Sequence, residues 1–263
     1  MKYSYVMMGN REIDLIRFFV LSKSIRDSGS DYNIIFLHFD NNFNPYNYRD
    51  TFNKLNLQLQ FVNNPIETKQ IQHKEYLSHI ENKEWDFIKL IPWTLTDYSK
   101  VLFMDADMLV LQNIDHLFDL EYDFVYTDGR ISPLNSGIFL LKPNLTTFYG
   151  LQQFIYNTKF DIYNGWHNMG RVTRHYAIEV CQGIFYYFFI KSGKFHTHYI
   201  PSEIYNNMSP QCYKNTTEDA IKIVHFTSWQ KPPQPPNKLT HPFQNKIHEK
   251  WTKNLVDLGL NLV

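Results

Sequence analysis

Two cysteines in 263 residues, Cys181 and Cys212, are too few for a disulfide scaffold and fit a reducing compartment. An excess of charge of one sign is also missing, since 26 Lys plus Arg face 26 Asp plus Glu. No global field is then available to draw in nucleic acid or an anionic membrane surface, so any anion must be held by a local site. Long apolar runs are absent as well. The longest, GIFYYFFI from Gly183 to Ile190, falls far short of the about 20 residues that cross a bilayer. The opening MKYSYVMMGN reads as a first strand and not as a charged region leading into a signal-peptide core. These absences set the expectation of a cytoplasmic protein with no nucleic-acid and no membrane partner. They also make the Asn-X-Ser/Thr triplets at Asn144, Asn207 and Asn215 incidental. Repeats, low-complexity tracts and an interdomain linker are missing too.

What is present is an alternation of strand and helix patterns. Tyr3 to Met8 is a short apolar run, followed by a helical pattern from Glu12 to Asp27 with Leu15, Ile16, Phe19, Val20 and Leu21 on overlapping faces. NIIFLHF, Asn33 to Phe39, reads as a strand buried on both faces, and the alternating LQLQFV, Leu57 to Val62, as one nearer an edge. A helix is expected over much of Lys83 to Leu95 despite Pro92, then a strand from Val101 to Met104. Further on come a strand in PLNSGIFLLKPN (Pro133 to Asn144), a helix from Leu145 to Asn157 and a long aromatic helix from Tyr176 to Ser192. A late strand ending at His225 and a terminal helix from Pro242 to Leu258 complete the pattern, and Pro232 to Pro236 reads as a stiff connector. Strand, helix, strand in short succession marks parallel α/β architecture. The length suits one core, so a single domain over 1–263 is expected, with a nucleotide-binding half to about residue 110 and an acceptor-side half beyond it.

Within YSKVLFMDADMLVLQNID, Tyr98 to Asp115, two carboxylates stand one residue apart among apolar neighbours. An ionised carboxylate removed from water neutralises or finds a cation, so something positive is expected nearby. In an extended segment the side chains of Asp105 and Asp107 would point to one side. Hard oxygen ligands at that spacing suit Mg²⁺ or Mn²⁺, completed by water and the phosphates of a nucleotide. The location fits, because ligands of open α/β sheets gather beyond the carboxyl ends of strands. As a bare tripeptide, Asp-X-Asp serves equally well as a turn or helix cap.

The flanks carry more information. FIKLIPWTLTDYSKVLFMDADMLVLQNIDHLF (Phe87 to Phe118), then LNSGIFLLKP (Leu134 to Pro143), then VHFTSWQKP (Val224 to Pro232) resemble, in the family's own order, the glycogenin-like enzymes of glycosyltransferase family 8. The N-terminal third and the stretch from Asn157 to Pro210 match loosely. The resemblance implies a Rossmann-like α/β fold of the GT-A type, a mostly parallel central sheet flanked by helices. It also implies a retaining transfer of a hexose, glucose in the first instance, from a UDP-sugar with Mn²⁺, for which Mg²⁺ could substitute. It assigns metal ligation to Asp105, Asp107 and His225, and contact with the diphosphate to Lys231. Lys89 falls to the donor sugar and phosphate, and Asn135 and Ser136 to the donor sugar beside Gly137. Ala106 completes the aspartate motif, and Met8 and Gly9 lie in the loop expected to hold uracil and ribose. Read without the resemblance, His225 is a core histidine, Lys231 and Lys89 are solvated charges, and Asn-Ser-Gly is a turn. A homodimer is implied as well. The acceptor stays open among protein, glycan, lipid and polyol.

This chain departs from the family at three places. Methionines, Met7 and Met8, stand where small hydroxyl residues are usual, and Ser228 stands where glycogenin has glycine. Cys181-Gln182-Gly183 replaces Asp-Gln-Gly, whose aspartate lies near the reacting sugar; cysteine supplies neither its charge nor its paired acceptors. With no carboxylate evident at that motif, a front-face route is expected, in which the UDP β-phosphate takes the acceptor's proton and Gln182 orients the sugar. The catalytic set is then Gln182, Lys89 and Lys231. Two rivals remain: a sugar- or UDP-binding relative that has lost catalysis, and a metal-dependent phosphohydrolase with an Asp-X-Asp nucleophile and acid. The latter needs that motif near the N-terminus and further acidic strand ends. Here the strand starts at residue 101, and Glu218-Asp219 does not follow an apolar strand. Self-glucosylation on Tyr199, Tyr205 or Tyr213 is not expected.

Overall fold

The computed structural model describes residues 1–39, 43–73, 83–129, 132–161, 163–167, 180–208, 216–226, 231–234 and 242–260. Among these the strands are β1 (Tyr3–Gly9), β2 (Asn33–His38), β3 (Gln58–Phe61), β4 (Lys100–Met104), β5 (Met108–Val110), β6 (Phe124–Thr127), β7 (Asn135–Leu141), β8 (Phe160–Asp161), β9 (Gly165–Trp166), β10 (Thr197–Tyr199) and β11 (Ile223–His225). The α-helices are α1 (Glu12–Asp27), α2 (Arg49–Lys54), α3 (Leu145–Asn157), α4 (Val180–Phe185), α5 (Ser202–Tyr205) and α6 (Pro242–Asp257). The chain gathers into two compact units, neither of which is a continuous half. One contains 1–4, 61–103 and 120–200; the other contains 5–60, 104–119 and 201–263.

In the first unit the strand order is β10-β6-β7-β4. Strand β10 pairs parallel to β6 with Thr197 opposite Phe124, whereas β6 and β7 are antiparallel with Phe124 opposite Leu141 and a register shift between Tyr126 and Thr127. The segment from Glu84 to Thr94 is helical as expected, but wound as a 3-10 helix around Pro92, which has no N–H to donate. It contributes Trp93, whose indole stacks on Phe139 (centroids 5.6 Å) and Phe189 (5.3 Å), while Phe103 stacks on Phe139 at 4.8 Å. Helix α3 starts where the pattern places it, because Asn144 caps it by accepting from the N–H of Thr147. The long aromatic helix expected from Tyr176 is described from Val180, as α4 followed by a π-helical turn from Tyr186 to Lys191. Residues 168–179 lie outside the described residues.

In the second unit β1, β2 and β3 lie in that order. Strand β2 is buried along most of its length, and β3 is largely exposed, as its alternation predicts. Helix α1 buries Phe18 and Phe19; Phe18 packs on Phe36 at 4.7 Å, and Phe19 meets Phe52 edge-on at 5.1 Å. Strand β5 pairs antiparallel with β11, a pairing that local pattern did not announce. Its N–H at Val110 is taken up by the Ser24 hydroxyl of α1 at 3.0 Å. No helix among the described residues is long and apolar enough to cross a membrane.

Candidate active site

Asp105, Ala106 and Asp107 do not lie in an extended segment; they form a tight turn between β4 and β5. The two carboxylates converge all the same, because the turn is braced from outside. The N–H of Phe226 donates to the carbonyl of Asp107 at 2.9 Å, and the β5 and β11 ladder sets His225 opposite Met108. His225 Nε2 thereby comes to 3.2 Å from Asp107 Oδ1 and 4.0 Å from Asp105 Oδ2. On the other side of the ring Nδ1 lies 2.9 Å from Asn206 Oδ1. An Nδ1–H donated to that oxygen leaves Nε2 turned toward the carboxylates.

Lys231 completes this cluster with its ammonium 2.6 Å from Asp107 Oδ2. Burial by itself would push the Asp107 carboxyl up; His225 and Lys231, facing it, more than reverse this and hold it below the usual carboxylate range. Sequence reasoning missed Arg17, which is buried in α1 to all but 12% of its side chain and donates from Nε to the carbonyl of Pro232 at 2.9 Å, next to Lys231. A charge within the otherwise apolar run from Leu15 to Leu21 was its only signal.

The other residues expected at a nucleotide lie near the end of β1. Met7 and Met8 are within the strand and buried, not in the loop, which begins only at Asn10. Gly9 is required by close approach: a Cβ there would stand 2.6 Å from the Asp14 Cβ and 3.1 Å from the Phe36 ring. Its carbonyl lies 3.3 Å from Nδ1 of the buried His38. Ser228, Cys212 and Tyr213 lie outside the described residues, as does the second half of the Pro232 to Pro236 segment.

The first unit holds a separate polar cluster. Lys89, only 4% exposed, donates to Ser136 Oγ at 3.3 Å, with Ser136 in β7. Asn135 Nδ2 lies 3.4 Å from Gln182 Oε1, and the Asn135 side chain accepts from the N–H of Gly137 at 2.9 Å. The Asn-Ser-Gly triplet is therefore the start of a strand and not a turn. Asp86 was missed. Its carboxylate is 3.1 Å from Lys89 Nζ and accepts the N–H of Cys181 at 3.0 Å, while the buried Cys181 thiol donates to the Asp86 carbonyl at 3.1 Å. Asp86 and Lys89 are three residues apart, a spacing that nearly eclipses side chains on a 3-10 helix. An acid-x-x-base pair inside an apolar run was the available signal.

The first cluster is a candidate metal centre. One ligand atom from each of Asp105, Asp107 and His225 lies within 4.8 Å of the others, and two carboxylates plus an imidazole suit a divalent ion of the Mn²⁺ type.

The model of Glycosyl transferase family 8 matches residues 4–129. UDP-glucuronate:xylan alpha-glucuronosyltransferase 1 of Arabidopsis thaliana is 33% identical over 147 residues, covering 55% of this chain and 20% of that protein. Glycogenin-1 of Homo sapiens is 51% identical over 61 residues, or 23% of this chain and 17% of its own. The matched part is thus about a fifth of either relative. Among solved structures, the galactosyltransferase LgtC, in complex with donor and acceptor sugar analogs, superposes with a TM-score of 0.55 at 14% identity, covering 99% of this chain and 97% of that one. The glycosyltransferase GlyE of Streptococcus pneumoniae gives 0.62 at 14% identity over 97% of this chain and 63% of its own. Those likenesses establish the fold as GT-A, with a mostly parallel central sheet flanked by helices.

Proposed function

Because the chain is a glycogenin-like member of glycosyltransferase family 8, we propose that it transfers a hexose, glucose in the first instance, from a UDP-sugar to a hydroxyl acceptor, with retention and with Mn²⁺. The observation that carries this reading is the convergence of Asp105, Asp107 and His225, with Lys231 set against Asp107. The convergence of an imidazole and an ammonium on the buried Asp107 favours a ligand-binding role over a purely structural one, since buried charges recover their desolvation cost only in good geometry.

Asp105, Asp107 and His225 would hold the metal, which when bound supplies charge stabilisation to the leaving diphosphate. Asn206 keeps the His225 ring turned so that Nε2 faces the carboxylates. The Lys231 ammonium, paired with Asp107, would stabilise the negative charge that grows on the β-phosphate as UDP departs. Lys89, Asn135, Ser136 and Gln182 take the hexose by hydrogen bonds, with Met8, Gly9, Ala106 and Ser228 as the remaining donor contacts. The bond from the anomeric carbon to the β-phosphate oxygen breaks, the bond to the acceptor oxygen forms on the same face, and the acceptor's proton passes to the departing phosphate.

The test is incubation of the protein with Mn²⁺ and UDP-glucose, UDP-galactose, UDP-xylose, UDP-N-acetylglucosamine or UDP-glucuronate, reading released UDP. Calorimetric binding of UDP runs in parallel, on the wild type and on Asp107→Asn. Metal-dependent UDP binding that Asp107→Asn abolishes supports the reading; binding and turnover retained by that variant remove the metal assignment. UDP binding without turnover on any donor favours a binding protein over an enzyme.

A further inference from the structure

The pair Asp86 and Lys89 is held almost wholly out of water, 8% and 4% exposed, beside an aromatic core that includes Phe103, whose ring centroid lies 5.6 Å from the Lys89 ammonium. Two apolar residues of the same volume would stabilise such a site at least as well, so the charges call for a use beyond packing. Their hydrogen bonds indicate one. Asp86 Oδ1 faces the Lys89 ammonium at 3.1 Å, and Oδ2 accepts the Cys181 N–H at 3.0 Å. One carboxylate therefore holds both the ammonium that reaches Ser136 and the backbone immediately before Gln182, whose side chain meets Asn135. Lys89 is tied to Asp86 directly, Ser136 through Lys89, Gln182 through the adjoining Cys181 backbone, and Asn135 in turn through Gln182.

We propose that Asp86 is a positioning and specificity-determining residue of the donor-sugar site, one that orients Lys89 and Gln182 and selects a neutral hexose over a hexuronate. The inference rests on the reading of these residues as the sugar pocket. Selection follows from charge. The Lys89 ammonium already has a buried carboxylate partner, so a sugar that brings its own carboxylate places a second anion in the same low-dielectric space, where like charges strongly disfavour joint ionisation. A sugar bearing a hydroxymethyl group meets no such opposition. This separates the chain from relatives whose names specify UDP-glucuronate.

The experiment is calorimetry with Mn²⁺ on the full chain, titrating UDP, UDP-glucose and UDP-glucuronate into the wild type, Asp86→Asn and Asp86→Glu. The UDP titration separates the two levels: a wild type that binds no UDP overturns the glycosyltransferase reading itself. With UDP bound, the wild type should prefer UDP-glucose over UDP-glucuronate by about tenfold or more. Asp86→Asn should leave UDP affinity within about twofold and shrink that preference to about threefold or less, and Asp86→Glu should keep the wild-type order. A purely structural role would change all three ligands together and leave the ratio alone. An unchanged ratio in Asp86→Asn overturns the proposal. A wild type that prefers UDP-glucuronate does so without reference to any variant, and so decides the matter even if Asp86→Asn fails to fold.

Discussion

His225 Nε2 lies 3.2 Å from Asp107 Oδ1, although the two residues are far apart in sequence, because the antiparallel pairing of β11 with β5 puts His225 opposite Met108, the residue that follows Asp107. The imidazole is aimed from behind by Asn206, 2.9 Å from Nδ1. Partners of this kind fix the orientation of a ligating ring, and their removal weakens metal binding by roughly 10 to 100-fold. Asn206→Ala is expected to lower Mn²⁺ affinity by that factor in the presence of UDP while leaving the fold intact. Mn²⁺ titration followed by calorimetry and circular dichroism checks both parts.

Acid should act through Asp107. Its folded carboxyl lies below the usual range, burial being outweighed by His225 and Lys231, so the unfolded chain binds this proton more readily than the folded one. Its contribution to stability is present at neutral pH and is lost as pH falls below the unfolded value of about 3.9. Between pH 5 and 2, thermal melts of the wild type should decline more steeply than those of Asp107→Asn. Parallel acid limbs for the two proteins would contradict the assignment.

Cys181 should tolerate serine and reject aspartate. A serine hydroxyl can replace the thiol's hydrogen bond to the Asp86 carbonyl, at a cost within about 1 kcal/mol. An aspartate there would bury a second carboxylate against Asp86, costing at least about 2 kcal/mol. Urea unfolding of Cys181→Ser and Cys181→Asp measures the difference.

Gln182 is expected to matter for transfer more than for folding. Gln182→Ala should reduce UDP release in the presence of acceptor by more than about tenfold, the usual scale for a lost transition-state contact, with an unaltered melting temperature. Rates within a few-fold of wild type would remove its role in orienting the sugar.

Trp93 carries much of the first unit's core through its stacking on Phe139 and Phe189. Trp93→Ala is expected to lower stability by about 3–5 kcal/mol, read as a shift in the urea midpoint with little change in slope.

Much of the architecture was legible because it depends on local rules. The ends of α3 follow from a capping Asn144 and an apolar period, and the edge character of β3 from its alternation. The paired aspartates, Asp105 and Asp107, stood out because charge among apolar residues demands a partner, and the family resemblance named His225 and Lys231 as candidates. Asn206 was not legible, and Asp86 only as an acid three residues before Lys89. Each acts by a hydrogen bond to a residue distant in sequence, 3.0 Å to the Cys181 N–H for one and 2.9 Å to His225 for the other, and composition carries no trace of such a contact.

The sequence by itself determined the α/β class, most element boundaries and the identity of the charged groups, since backbone propensity, capping and hydrophobic period are properties of neighbouring residues. Only the tertiary structure decided what those groups do to one another. Strand pairing brought an imidazole onto a buried Asp107, which the Lys231 ammonium also meets, and a 3-10 helix set Asp86 against Lys89 and residue 181. The reason is electrostatic: the behaviour of a carboxylate depends on its distance to other charges and on the water around it, and only the folded chain sets either.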